Sequence, residues 1–156
     1  MTSKRFQGLF ELQTPADLVK KLQLDLERMA KSPQDQYAAF DFFVTAEHIV
    51  DWIYPGDDHE HTRKSLRSSK ALLRITSHLA NGGKHFQATR KHHQSVTGTE
   101  KDRYVESGYM QEGYFKEPLL ISLSEKEAKE MGTPQIDALT LARQVFEYWS
   151  KNAPAA

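Results

Sequence analysis

The chain has 156 residues, with 21 basic and 21 acidic side chains, 38% hydrophobic residues and no cysteine. This length accommodates one hydrophobic core. The absence of cysteine excludes disulfide frameworks, thiol nucleophiles and cysteine-ligated zinc. No apolar run is long enough for a membrane span, and the N-terminal residues lack the apolar core of a secretory signal. We therefore expect one soluble domain over residues 1–156, a cytoplasmic location and no membrane partner.

Capping residues indicate two helix starts in the first third of the chain. Thr14 and Pro15 are typical of a helix cap and a first helical position, and leucines follow at helical spacing. A second start at residues 32–35 opens the segment YAAFDFFVTAEHIVDWIY, which is apolar around most of its circumference and ends at Pro55. We predict that this second helix lies at the centre of a bundle.

A third helix is predicted from residues 58–61 to at least Ala80, with apolar residues on one side and basic residues on the other. Gly82 and Gly83 either end this helix or only weaken it. Residues 94–124 are predicted to form an irregular aromatic loop or loose hairpin with a short strand.

A Ser-capped helical turn or two ending at Gly132 follows, and the last helix is predicted to begin at Thr133 and Pro134. We therefore expect a mainly all-α fold. It is a single-domain bundle of about four helices, with a small irregular or β element between helices three and four.

The neutral total charge hides two parts of opposite charge. The segment from His61 to Ser95, called here the acid-free segment, has eight Lys or Arg, five His and neither Asp nor Glu. The rest of the chain therefore has 13 basic and 21 acidic side chains. Either the acidic helices pack beside this segment and neutralise it, or it forms an anion-binding face whose commonest partner is the phosphate of RNA or DNA.

If the third helix continues through the glycines, eight polar side chains fall within an arc of about 80°. They are Arg63, Arg67, Lys70, Arg74, His78, Asn81, His85 and His92. For nucleic-acid binding, the predicted residues are Arg63, Arg67, Lys70, Lys84, Arg90, Lys91 and His92. An ordinary solvated face is the other interpretation of the same arc.

Imidazoles move protons near neutral pH, and Arg stabilises a phosphate while charge develops on it. The candidate catalytic residues are therefore Arg74, His78, Asn81 and His85, the components of a metal-independent ribonuclease. A metal enzyme is a third option. However, His78, His85 and His92 are seven residues apart, roughly 10 Å along a helix, so only a ligand from another helix could close a site. We predict no metal and no other cofactor.

Polar residues on the second helix are predicted to support this site. Asp41, Thr45 and His48 share a narrow arc among apolar neighbours, and buried polar groups need partners. Asp41 or Glu47 is expected to orient a histidine or to pair with Arg74. Aromatic residues near position 110 either stack on unpaired bases or cover the bundle. These aromatic residues are Tyr104, Tyr109, Tyr114 and Phe115.

Two short segments carry a resemblance to a known family. The residues Arg74-Ile-Thr-Ser-His78 and Asn81-Gly-Gly-Lys84-His85-Phe86, at the end of a helix in a small bundle, resemble the HEPN superfamily. The chain also looks like a group of bacterial proteins that carry an N-G-x-K-H-F segment. The HEPN resemblance implies a helical bundle that cleaves RNA as a dimer with a composite site. It also implies that Arg74 stabilises phosphate and that His78 or His85 is the catalytic histidine.

Two functional hypotheses remain nearly level at this point. The first is a HEPN-like protein that binds RNA through the basic and histidine-bearing face and acts as a metal-independent endoribonuclease. The second is a non-enzymatic interaction or oligomerisation module, whose basic segment docks onto an acidic surface of a protein partner or of a second copy in a homodimer. No Gly-rich phosphate loop, Gly-x-Ser-x-Gly elbow or His-Glu-x-x-His motif supports a common nucleotide-binding, hydrolase or metalloprotease class.

Overall fold

A computed structural model describes residues 6–101 and 118–155 of the chain. Its α-helices are α1 (Pro15–Lys31), α2 (Gln36–Ile53), α3 (Glu60–Ser68), α4 (Ala71–His85), α5 (Glu125–Met131) and α6 (Ala138–Asn152). A 3₁₀ turn, Asp57–His59, precedes α3, and the strands are β1 (Val96–Lys101), β2 (Leu119–Leu123) and β3 (Gln135–Asp137). The predominantly helical fold with a small β element is confirmed, but the predicted number of about four helices was imprecise, since the described residues form six α-helices.

The first two helices begin where their capping residues predict. Thr14 Oγ1 accepts a hydrogen bond from Asp17 N at 3.2 Å, and Asp17 Oδ2 accepts one from Thr14 N at 2.9 Å. This reciprocal pair satisfies backbone donors at the start of α1. Asp35 caps α2 by accepting from the backbone N–H groups of Tyr37 and Ala38.

The apolar α2 is the central helix of the bundle. It packs against α1, α3, α4 and α6, and its Phe42 and Ile49 are fully buried. Trp149 of α6 and Leu22 of α1 are buried in the same core. A helix that is apolar on most sides can bury all of them only at the centre, which explains this placement.

The third predicted helix is two helices, so the prediction of one continuous helix was wrong. After α3 ends at Ser68, Lys70 adopts an extended backbone with φ of −141° and ψ of 148°. Serine side chains bond back to the last turn of α3. Ser68 Oγ donates to Lys64 O at 2.8 Å, and Ser69 Oγ donates to Leu66 O at 2.6 Å. Such bonds compete with helix continuation and account for the break.

The glycines do not end α4, which continues through Gly82 and Gly83 to His85. Gly83 lies against the ring of Phe40 on α2, where an added Cβ would be 2.9 Å from Phe40 Cε2. The helix ends at Phe86, whose φ of 63° takes the chain away from the helix axis. The last turn of α4 therefore lies against Phe40, in the N-terminal part of α2.

A three-stranded antiparallel sheet in the order β1-β2-β3 packs against α4, α5 and α6. Ile121 of β2 pairs with Ile136 of β3, and both side chains are buried. The predicted start of the last helix at Thr133 and Pro134 was wrong by a few residues, because β3 comes first. Asp137 then caps α6 by accepting from Thr140 N at 3.0 Å.

The short strand and the Ser-capped turn of the sequence analysis are confirmed as β2 and α5. Ser124 caps α5, and Gly132 ends it with a φ of 77°. The aromatic residues Tyr104, Tyr109, Tyr114 and Phe115 lie outside the described residues. No described helix combines the length and apolar character needed to span a membrane.

Candidate nucleic-acid interface

A groove of about 1460 Å³ runs between α2, α3 and α4, and the segment 90–95 and the start of α5 form its other wall. Among the described residues, eight Lys or Arg line it, and seven of these come from the acid-free segment. Six carboxylates from the rest of the chain line the same groove. Which cations are available to a ligand therefore depends on how these charges pair.

The two arginines of α3 are paired with α2. Arg67 NH2 donates to Asp51 Oδ1 at 3.0 Å, and Arg67 Nε lies 2.5 Å from Glu47 Oε1. Arg63 NH1 donates to the carbonyls of Tyr54 and Gly56, both at 2.6 Å. These contacts attach α3 to the end of α2, so both guanidinium groups have structural partners.

Arg74 is paired with α5 rather than with Asp41 or Glu47, so that expectation was wrong. Its Nε and NH2 atoms bind Glu127 at 2.7 to 3.1 Å, and its NH1 donates to Ser68 O at 2.8 Å. NH2 also donates to Glu130 Oε1 at 3.0 Å. Every nitrogen of this guanidinium therefore has a protein acceptor.

Glu127 is buried, with 1% exposure, and Ser95 Oγ donates to its Oε2 at 2.6 Å. Burial alone would raise the pKa of Glu127, but the hydrogen bonds from Arg74 and Ser95 outweigh it and lower the pKa. The same carboxylates raise the pKa of Arg74. A buried, hydrogen-bonded pair of this kind holds α4, α5 and the segment before β1 together.

In the described part of the chain, four cations that line the groove have no ion pair, namely Lys126 of α5 and three residues of the acid-free segment. Lys84 lies in the last turn of α4, and Arg90 and Lys91 follow in the segment before β1. All three side chains are exposed, and none has an ion-pair partner within 4.0 Å in the part of the chain that the structure describes. We call Lys84, Arg90 and Lys91 the unpaired cations.

The remaining predicted nucleic-acid-binding residues divide between the groove and the outside. His92 is exposed and lines the groove beside the unpaired cations, although it lies beyond the end of α4 rather than on the predicted helical arc. Lys70 does not line the groove; its Nζ is 6.0 Å from the ring centroid of Tyr148 on α6. The helix break before α4 directs this lysine elsewhere.

Histidines from α4 and the following segment stack on one another. His78 and His93 have ring centroids 5.3 Å apart, and those of His92 and His93 are 4.0 Å apart. Burial lowers the pKa of His93 to about 4, with smaller contributions from His92 and His78. Burial and His92 also lower the pKa of His78, whose Nδ1 accepts a hydrogen bond from Val96 N at 3.0 Å. His78 is therefore neutral near pH 7 and helps to hold β1.

The four candidate catalytic residues do not converge on one point. Arg74 and Asn81 line the groove, whereas His78 and His85 do not. Asn81 Nδ2 donates to Ser77 O at 2.7 Å. Arg74 and His85 are about 16 Å apart along the axis of α4, and Arg74 is held at α5. The structure therefore does not place these four side chains around one phosphate.

The supporting residues on α2 also separate. Asp41 pairs with Arg28 of α1 at 2.9 Å, and buried Thr45 accepts from Lys21 Nζ at 2.8 Å. Only His48 lines the groove. Asp41 and Thr45 hold α1 against α2, because polar groups on the side of α2 that faces α1 need partners.

Glu47 lines the groove and contacts side chains of both α3 and α4, which the sequence does not indicate. It is buried on α2, and Ser77 Oγ of α4 donates to its Oε1 at 3.1 Å. The pKa of Glu47 is raised to about 7, because burial and, to a smaller extent, nearby Asp51 raise it by more than Arg67 and Ser77 lower it. The acidic residues of α2 are Asp41, Glu47 and Asp51, so the sequence does not single out Glu47, and it gives no signal for Ser77 or Glu127 either.

In the described part of the chain, no three His, Asp or Glu side chains are placed to hold a metal ion. Fold and groove together define a mainly helical protein with a cation-lined groove. The chain matches no model of a known protein family, no curated protein and no solved structure. The resemblance to the HEPN superfamily therefore stays a prediction, and the function is argued from the groove.

Proposed function

We propose that this protein binds single-stranded RNA in the groove between α2, α3 and α4. The observation that carries the proposal is the set of unpaired cations, Lys84, Arg90 and Lys91, on a groove whose other arginines are already paired. Lysine and arginine side chains that have no internal partner can exchange solvent counterions for phosphates. The exposed His92 lies beside them and adds a further hydrogen-bonding group.

An exposed aromatic ring supports RNA over a small anion. Phe40 lines the groove, is 52% exposed and lies against Gly83, one residue before Lys84. Bases stack on such rings without sequence preference, and backbone phosphates then reach nearby cations. An unpaired strand presents both groups at once, whereas a duplex hides its bases.

In this proposal the chain is a HEPN-like, cytoplasmic helical-bundle protein that works as a homodimer. A second candidate is the non-enzymatic interaction module, which an exposed apolar turn before α1 favours. Phe6 and Phe10 in that turn are 88% and 90% exposed. The partner in this alternative is another protein or a second copy of the chain, with the basic segment docked on an acidic surface.

The test is fluorescence anisotropy of a labelled single-stranded RNA at several salt concentrations. With three phosphate contacts, the logarithm of the binding constant falls with the logarithm of salt with a slope of about −2. The double variant Lys84→Ala/Lys91→Ala should bind about tenfold more weakly, with a slope smaller in magnitude by about 1.4.

Lys20→Ala/Lys129→Ala is the matched control for this experiment. It removes the same charge from exposed lysines on α1 and α5 that do not line the groove. The control should bind as the wild type does. Equal losses of RNA affinity in the two double variants would show that only the net charge of the protein matters. An absence of salt-dependent binding in the wild type would favour the interaction module.

A further inference from the structure

Glu47 lies at the floor of the groove with one carboxylate oxygen uncommitted. Its Oε1 meets Ser77 Oγ and Arg67 Nε, whereas its Oε2 accepts no hydrogen bond from the residues that the structure describes. The contact with Arg67 is short, but the Nε–H of Arg67 has no well-aligned acceptor among those residues. The carboxyl group is therefore positioned from two sides and still has a free oxygen.

Charge competition around Arg67 leaves Glu47 able to hold a proton. The charged groups that face Glu47 are Arg67 from α3 and Asp51 from its own helix, and Ser77 is the polar group from α4. One guanidinium thus serves two carboxylates, and Glu47 is the buried one of the two. A carboxyl group whose pKa is about 7 is suited to proton transfer at neutral pH.

We propose that Glu47 is the general base of an RNA-cleaving reaction in this groove, in place of the predicted group around Arg74. The inference rests on the proposed RNA binding. Arg74 is unsuited because each of its nitrogens already binds the protein, whereas Glu47 lines the groove with its second oxygen available.

The reaction needs only acid and base groups. The Glu47 carboxylate takes the proton of a ribose 2′-hydroxyl, and the 2′-oxygen then forms a bond to the adjacent phosphorus. The bond from phosphorus to the 5′-oxygen breaks, and the leaving 5′-oxygen takes a proton from His92. The products are a 2′,3′-cyclic phosphate and a 5′-hydroxyl, and exchange of protons with water restores both residues.

His92 is assigned as the acid because it is exposed on the groove wall directly after Arg90 and Lys91. These cations would hold the strand on which it acts. Its ring packs on His93, with centroids 4.0 Å apart, which limits its orientations. His78 is excluded as the acid because it does not line the groove, and His93 because burial lowers its pKa to about 4.

The test separates cleavage from binding. Glu47→Gln keeps the shape of the side chain and an oxygen to accept from Ser77. It should lower the cleavage rate by about 100-fold or more and change RNA affinity by less than about twofold. Asp41→Asn is the matched control. It also removes a carboxylate of α2 that pairs with a neighbouring helix, but Asp41 lies outside the groove. Asp41→Asn should cleave as the wild type does.

Two further arms do not depend on the folding of a variant. An RNA whose 2′-hydroxyls are methylated should bind to the wild type but stay intact. The wild-type cleavage rate should fall as the pH is lowered below about 7, because Glu47 then takes up a proton and no longer acts as the base. Cleavage by Glu47→Gln at the wild-type rate, or of the methylated RNA, would overturn the inference. Binding without any cleavage would overturn it and keep the proposed function, and absence of binding would overturn both.

Discussion

The two halves of the acid-free segment differ in what their positive charges do. In the first half, Arg63, Arg67 and Arg74 are held by acceptors on α2, on α5 and on the part of the chain between α2 and α4. In the second half, Lys84, Arg90 and Lys91 are exposed and have no ion pair among the described residues. The sequence shows one uniform basic run, but those of its cations that line the groove without an ion pair all lie in its second half.

The difference follows from what packs against each half. The end of α2 and the start of α5 supply carboxylates beside α3 and the beginning of α4. Beyond Gly83 the neighbour is Phe40, an aromatic residue that cannot neutralise a cation by ion pairing. Internal neutralisation is therefore found for the arginines of the first half, whereas the interpretation of the second half as an anion-binding face stays a prediction.

The largest expected effect is a loss of stability when an ion-paired arginine in the first half of the acid-free segment is replaced. Arg74→Ala should lower the free energy of unfolding by about 3 to 5 kcal/mol, because it leaves the buried Glu127 without its counter-charge. Urea unfolding measures this loss. The double variant Arg74→Met/Glu127→Leu should regain most of it, since neither charge then remains buried. A loss below about 1 kcal/mol for Arg74→Ala would show that the pair does not hold α5 in place.

A pH-dependent effect of intermediate size is expected at Glu47. Its pKa is raised from 4.5 to about 7 in the folded state, so the folded protein holds this proton more tightly than the unfolded chain. The resulting stabilisation is complete below about pH 4.5 and is lost as the pH rises through about 7. One pKa unit corresponds to about 1.4 kcal/mol, so this shift stabilises the folded state by at most about 3.5 kcal/mol.

Glu47→Gln removes this pH dependence. Its free energy of unfolding relative to the wild type should therefore rise between about pH 4 and about pH 8. Urea unfolding of both proteins at each pH measures the difference, in which the contributions of the histidines cancel. A difference that stays constant across this range would show that Arg67 keeps Glu47 ionised throughout.

The smallest effect on stability is expected when the unpaired cations in the second half of the acid-free segment are replaced. Lys84→Ala/Lys91→Ala should change the free energy of unfolding by less than about 0.5 kcal/mol, because these exposed side chains have no folded-state partner to lose. Thermal and urea unfolding measure it. A loss above about 1 kcal/mol would mean that these lysines also serve the fold, and the contrast between the two halves would fail.

Local signals in the sequence were sufficient to predict where α1 and α2 begin. The caps at Thr14 and Asp35 lie next to the helices that they start, and each needs only neighbouring backbone groups. The apolar circumference of α2 likewise indicates its central position. The break at Ser69 was missed because serine is tolerated within helices, and the deciding contacts include Glu130, which accepts a hydrogen bond from Ala71 N at the start of α4.

By itself the sequence determined the capped helices, the central α2, the short strand and the accumulation of positive charge between His61 and Ser95. Only the tertiary structure decided which cations are paired and which carboxyl group is protonated near neutral pH. Arg74 meets Glu127 across 53 positions of the chain, and Glu47 meets Ser77 across 30. Ion pairing and burial depend on distances between elements far apart in the chain, and residue type and spacing do not encode those distances locally.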